Sequence, residues 1–347
     1  MAFFLFPLLW LLHFIIPFVF KAIINRSLGK LEGYRGRLSG LRITLFPAAF
    51  VIHNFRLYRR NNGEAPVVSV ERLRLKFELP ALLKKMFVCE LRAEEPVIHI
   101  EKEYSQVDKG AQHNSANDVV IEMPVIPFPV LIHRLLVDRG RLVFTDPATK
   151  PPVNVELDDI DVRGCNFATE PIENLLPAEM EVHSNLYGGR MRVRLRATLF
   201  EKQPAIDMDM EMREMDMVRM NDLLSAYGNF DVNAGTLGLF AEVAVQGNKF
   251  KGYVKPLIRN LKVLGREDKH DSFFHKVWEG LVGVVAELFQ NQGKDQVGSK
   301  IPFEGTLSSP EVKIGPAVLE VLRNAFVVAL KPRIDQEIGL GTLRKGR

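Results

Sequence analysis

From Arg190 to Ala197 the chain reads Arg-Met-Arg-Val-Arg-Leu-Arg-Ala, a charge at every second position and an apolar side chain between. Only an extended strand puts such a pattern to use, because successive side chains then point to opposite faces. The pattern recurs at Leu73–Leu79 and Val153–Leu157, approximately at Val97–Ile100, and with slips from Leu237 to Val245. Turn signals separate the runs: Arg59-Arg60-Asn61-Asn62-Gly63, Asp146-Pro147, Tyr187-Gly188-Gly189, Lys202-Gln203-Pro204 and Gly247-Asn248. About a dozen half-buried strands joined by short turns predict a mainly β chain, an antiparallel meander with one apolar face.

Among the 347 residues 47% are hydrophobic and 25% charged, a globular mix that excludes disorder as a description of the whole chain. Two cysteines, Cys89 and Cys165, exclude a disulfide framework and any multi-cysteine zinc site. A net charge of +4 is too small to argue for nucleic acid.

One end of the chain is different. Phe3 to Phe20 is interrupted only by Pro7, His13 and Pro17. As helix it would span about 27 Å, close to the thickness of a hydrocarbon core, and predicts a single-pass membrane anchor over 1–24. No basic residue precedes the run and no small-residue cleavage site follows it, unlike a signal peptide. Lys21, Arg26, Lys30, Arg35 and Arg37 then form a basic collar suited to anionic headgroups, with Glu32 the only acid up to Arg60. By the positive-inside rule the collar would place the following body in the cytoplasm, although that rule weakens for long translocated domains.

The remaining organisation reads as an N-terminal β region (25–122), a central antiparallel sheet (123–268), C-terminal helices with a short β segment (269–338) and a disordered tail (339–347). Met123-Pro124-Val125-Ile126-Pro127-Phe128-Pro129 spaces prolines too closely for a central strand and marks the internal boundary. Asp271–Gln292 and Pro316–Leu330 carry helical periodicity; Leu79–Lys85 and Asp222–Tyr227 predict single turns. The strands Gly189–Phe200 and Ala205–Arg213 predict a hairpin with Phe200 opposite Ala205. That register sets Arg196 against Asp209, Arg194 against Glu211, Leu195 against Met210 and Val193 against Met212.

Two stretches carry a resemblance. Leu136-Val137-Asp138-Arg139-Gly140-Arg141-Leu142-Val143-Phe144-Thr145-Asp146 is followed by Leu157-Asp158-Asp159-Ile160. Upstream come the collar, Ile52-His53-Asn54-Phe55-Arg56-Leu57, Pro80-Ala81-Leu82-Leu83 and Leu91-Arg92-Ala93-Glu94-Glu95-Pro96-Val97-Ile98. Gly305-Thr306-Leu307-Ser308-Ser309-Pro310 and Leu322-Arg323-Asn324-Ala325-Phe326 close the order. This succession resembles bacterial AsmA-like proteins. The resemblance implies an elongated, curled antiparallel sheet forming a groove, an inner-membrane anchor, a periplasmic body and a part in envelope lipid homeostasis. It supplies no catalytic residues.

No G-x-S-x-G, H-E-x-x-H, P-loop or G-x-G-x-x-G occurs. Asp158, Asp159 and Asp161 read as a solvated strand face sooner than a calcium site, and His270 with His275 lacks a third ligand. No cofactor, metal or catalytic residue is expected. The expected function is non-enzymatic lipid handling or transport, or support of envelope biogenesis, with membrane lipids as partners. A scaffold for another envelope protein is the alternative, and a periplasmic enzyme a weaker one. Val193, Leu195, Met208, Met210 and Met212 are the candidate groove lining; six of the eleven methionines fall between Met208 and Met220. Flexible thioethers suit either a surface that adapts to variable apolar ligands or the filling of gaps beneath the Asp271 helix.

Overall fold

The computed structural model describes residues 17–31, 33–45, 48–60, 65–83, 86–102, 129–198, 205–228, 231–263, 296–298 and 301–306. The predicted helices at Asp271–Gln292 and Pro316–Leu330, the proline-rich boundary up to Phe128 and the tail lie outside these residues, as do residues 1–16 of the anchor. Residues 17–28 form a helix, α1. No helix among the described residues is long and apolar enough to cross a membrane.

The alternating sequence builds one mixed sheet of sixteen strands. The N-terminal strands are β1 (Tyr34–Arg37), β2 (Gly40–Leu45), β3 (Ala48–Arg59), β4 (Pro66–Phe77), β5 (Phe87–Glu94) and β6 (Val97–Glu101). They are followed by β7 (Val130–Asp146), β8 (Val153–Cys165), β9 (Phe167–Ala168), β10 (Ala178–Leu186), β11 (Gly189–Thr198) and β12 (Ala205–Asp216). The last four are β13 (Val232–Gln246), β14 (Lys249–Val263), β15 (Gln296–Gly298) and β16 (Ile301–Thr306). The spatial order is β1-β3-β4-β5-β7-β8-β10-β11-β12-β13-β14-β15, with β2 continuing β1 along β3, β6 continuing β5, and β16 on β14. The short turn at Leu79–Leu83 (α2) forms as predicted. The second folds as a 3-10 turn (Met217–Met220), α3 (Asn221–Leu223) and a wide π turn (Leu224–Gly228).

The expected antiparallel meander needs one correction. β5 and β6 both pair with β7 in parallel. Parallel neighbours must be joined by a return from one end of the sheet to the other, which takes a dozen residues or more. Between Glu101 and Val130 the sequence supplies 28 residues, more than enough length for that return.

Ladder irregularities stand in line on neighbouring tracks. The edge breaks between β1 and β2 opposite Asn54 of β3, and the next track breaks at Glu95-Pro96 between β5 and β6. Arg139 on β7 and Asp159 on β8 interrupt the following two. Asn54, Glu95, Arg139 and Asp159 all hold left-handed φ, between 48° and 54°. An extra residue in a strand reverses its faces from that point on. With the extra residues aligned on the β5–β6, β7 and β8 tracks, these tracks reverse together and their apolar side stays in phase. Ala93 and Ile98, Val137 and Leu142, and Val162 and Leu157 are each an odd number of residues apart, yet their pairings keep them in register as apolar neighbours on both sides of the crease. The Asp-Arg-Gly and Asp-Asp-Ile stretches behind the family resemblance therefore mark bulges.

The Asp that ends the β7 motif, Asp146, is fully buried and receives Lys102 Nζ at 3.0 Å, fastening the end of β6 to the β7–β8 turn.

Candidate functional site

Cross-strand pairing turns the alternation into rows perpendicular to the strands. One row starts with Leu41, Ile52, Leu73, Ala93 and Val137 on β2, β3, β4, β5 and β7. It continues through Val162, Val182, Val193, Met210, Ala241 and Val254 on β8, β10, β11, β12, β13 and β14. All eleven are apolar. At roughly 4.8 Å per strand step the row runs about 48 Å. A parallel row on the same face passes through Leu75, Leu91, Leu135, Gly164, Met180, Leu195 and Met208, apolar side chains with one glycine on β8. Ala93, Ala241 and Val254 are buried, whereas Leu41, Ile52, Leu73, Val137, Val162, Val182, Val193 and Met210 are half-buried.

The five candidate lining residues share this face. Val193 pairs with Met210 and Leu195 with Met208, while Met212 pairs with Met191 one row further on. They differ in access: Leu195 is 6% exposed and Met208 3%, packed among Ile206, Val243, Val245 and Phe250. Val193, Met210 and Met212 keep partial exposure. The remaining methionines of the run behave as filler. Met215, Met217 and Met220 are buried with Leu186 and Val232. Gly235 leaves room for the Met217 sulfur, which an added Cβ would meet at 3.0 Å.

The predicted hairpin forms with the register two residues from expectation. Thr198 faces Ala205, so Arg196 meets Asp207, Arg194 meets Asp209, Leu195 meets Met208 and Val193 meets Met210. A two-residue slip preserves which side each residue faces, so matching of the faces could not choose between the registers. The carboxylates of β10 also compete for the arginines: Arg192 binds Glu181 at 2.5 Å and Arg196 lies 3.6 Å from Glu179, while Arg194 takes Asp209 at 3.2 Å.

The opposite face is thereby neutralised by charge pairing. Arg192 holds the Glu181 carboxyl below its ordinary range through a direct hydrogen bond, against a smaller upward push from burial. Asp138 receives Arg92 at 2.8 Å and Arg163 at 2.9 Å. Burial pushes its carboxyl up, and the two guanidinium groups together bring it below the usual value. The arginine stripe of β11 is thus a solvated, ion-paired strand face.

At the crease, Arg139 binds Glu95 at 2.7 Å. Glu95 in turn hydrogen-bonds Glu71, whose carboxyl is raised by that bond and by the neighbouring charge.

The basic collar divides. Lys21 Nζ donates to the Ser39 carbonyl, and the Arg35 guanidinium lies 5.8 Å from the centre of the Tyr58 ring. Arg26, Lys30, Arg35 and Arg37 are exposed.

Candidate chemistry from sequence is dispersed. Asp158 faces Arg141 at 3.0 Å and Asp161 accepts the Arg139 backbone N–H at 3.3 Å, so the acidic trio does not converge. Among the described residues no group of His, Cys, Asp or Glu could hold a metal ion. Cys89 and Cys165 are free thiols, the first buried and its pKa raised by burial. His270 and His275 lie outside the described residues. Sequence reasoning missed the in-line bulges and the length of the apolar row. The signal for both was the repeated break in alternation at His53-Asn54-Phe55, Glu94-Glu95-Pro96 and Asp138-Arg139-Gly140.

No family model matches the chain, and no curated protein matches it.

Proposed function

We propose that the protein is a membrane-anchored, non-enzymatic envelope protein that handles lipid on an apolar groove formed by this face of the sheet. The supporting observation is the unbroken apolar row from Leu41 to Val254. An apolar strip of that length, half-buried along much of its course and backed by an ion-paired face, fits extended acyl chains better than a compact polar substrate. A catalytic site needs polar groups free to act on a substrate; the ionisable groups that do gather around a cavity on the opposite face, among them Arg163, Glu181, Arg194 and Asp209, are engaged in ion pairs. Residues 3–20 act as the anchor, and Lys21, Arg26, Lys30, Arg35 and Arg37 meet anionic headgroups at its end. The resemblance to AsmA-like proteins sets the expected location at a bacterial inner membrane with the body in the periplasm.

Native mass spectrometry of protein released from its membrane without detergent tests the reading. Phospholipid retained in stoichiometric amount is the expected result. A retained protein with no lipid would replace it with the scaffold alternative, and bare chain would remove it.

A further inference from the structure

We propose that the sheet stands on the bilayer by one end of its strands, the end that carries α2 and the 166–177 segment, so that the apolar row runs along the membrane surface instead of away from it. This inference rests on the anchor reading above.

The direction of α1 is the first observation. Lys21 reaches the carbonyl of Ser39, Asn25 is bonded to Leu38, and a Cβ on Gly36 would meet the Leu28 Cβ at 3.1 Å. Increasing helix number thus follows decreasing strand number. From Asn25 to Leu28 the helix rises about 4.5 Å, and from Leu38 back to Gly36 the strand spans about 6.6 Å. The helix therefore lies alongside the edge track and antiparallel to it. Its N-terminal end, which the apolar residues 3–16 enter, is directed to where β2 ends at Leu45.

The second observation is what the sheet displays there. β4 ends and β5 starts at this end, joined through α2, where Leu83 is 89% exposed and Leu79 also faces solvent. β8 ends and β10 starts there too, and Leu176 in the connection is 72% exposed. The turn from β2 to β3 is Leu-Phe-Pro-Ala, without a charge, and Lys84-Lys85 follows Leu83. At the other end the corresponding connection from β3 to β4 is Arg-Asn-Asn-Gly-Glu. Exposed leucines at two loop tips, one followed in sequence by two lysines and the other preceded by Glu170 and Glu173, lie at the end to which the N-terminus of α1 points and match the apolar part of a bilayer interface.

The test uses the full chain with Trp10→Phe and Trp278→Phe, carrying a single tryptophan as Leu83→Trp, Leu176→Trp or Val218→Trp. Val218 is exposed in the turn at the opposite end. Each protein is reconstituted into vesicles of phosphatidylcholine and phosphatidylglycerol with brominated acyl chains and floated on a density gradient. Interfacial insertion predicts about a twofold loss of emission at positions 83 and 176, with none at 218. Flotation with quenching at neither or only one of those two sites, or at 218, overturns the proposal while leaving the anchor standing. Failure to float removes the anchor reading and this inference together.

Discussion

The side-chain amide of Asn25 closes a two-way pair with the backbone of Leu38, accepting its N–H at 2.8 Å and donating to its carbonyl at 3.2 Å. Leu38 sits at the break between β1 and β2 and is only 3% exposed. Its backbone has no strand partner at that point, and the helix supplies one. Asn25→Ala leaves two buried polar groups unmade and is expected to cost about 2 kcal/mol or more. Hydrogen exchange at the Leu38 amide should accelerate, and protease should gain access near residue 30. Unchanged protection would show that the pair does not hold the helix to the sheet.

Photo-crosslinkers report on the apolar row. A probe at Met210 should capture lipid, and a probe at Leu195 should do so more weakly, because Leu195 is the more buried. Arg194, on the ion-paired face, should capture none. Equal capture from both faces would remove the row as the lipid site.

Asp138 makes stability depend on acid. Its folded pKa lies below the ordinary value of 3.8. Its contribution is therefore complete above the unfolded pKa and lost as pH falls through the lowered folded value. Asp138→Asn should destabilise by about 1 kcal/mol near neutrality, since Arg92 and Arg163 are both well exposed and screened. The difference from the parent should shrink toward pH 3 in urea titrations. A gap that persists undiminished in acid would assign the effect to packing.

Two glycines separate steric from conformational demand. A Cβ on Gly189 would lie 2.4 Å from the Arg213 carbonyl oxygen and 2.6 Å from the Met215 nitrogen, both backbone atoms. Gly189→Ala should lose about 2 kcal/mol or more, and thermal melting would read it directly. Gly247 has φ +59° and open space around it, so Gly247→Ala should cost only about 1 kcal/mol. Equal losses would contradict the contact geometry.

Topology has its own check. A C-terminal alkaline phosphatase fusion should be active if the body is periplasmic. An inactive phosphatase together with an active cytoplasmic reporter would make the basic collar the governing signal.

Alternation made the strands readable wherever it was regular. Arg190–Ala197 became β11 with its faces as expected, and Ala205–Arg213 fell within β12. Where a bulge intervened, as at Arg139 or Asp159, a left-handed residue broke the period, and the sequence looked merely imperfect. The parallel join at β7 was hidden for another reason. Direction depends on the path between strands, and nothing in Val130–Asp146 itself distinguishes a parallel neighbour from an antiparallel one. The two-residue register error at β11–β12 has the same origin, since arginines there had carboxylates available on two neighbouring strands. Of the candidate lining, the shared face was legible from parity alone. That Leu195 and Met208 are covered while Val193 and Met210 are less so depends on the neighbours Val243, Val245 and Phe250, which lie far away in sequence.

Apart from the parallel join, successive strands of the main order are also neighbours in space. Such a sheet behaves like a ruler. Each added hairpin lengthens the apolar row by about 9.6 Å, two strand steps, without disturbing registers elsewhere. The reach of the apolar face is therefore set by the number of strands alone, and the row from Leu41 to Val254 fixes it at about 48 Å for this chain.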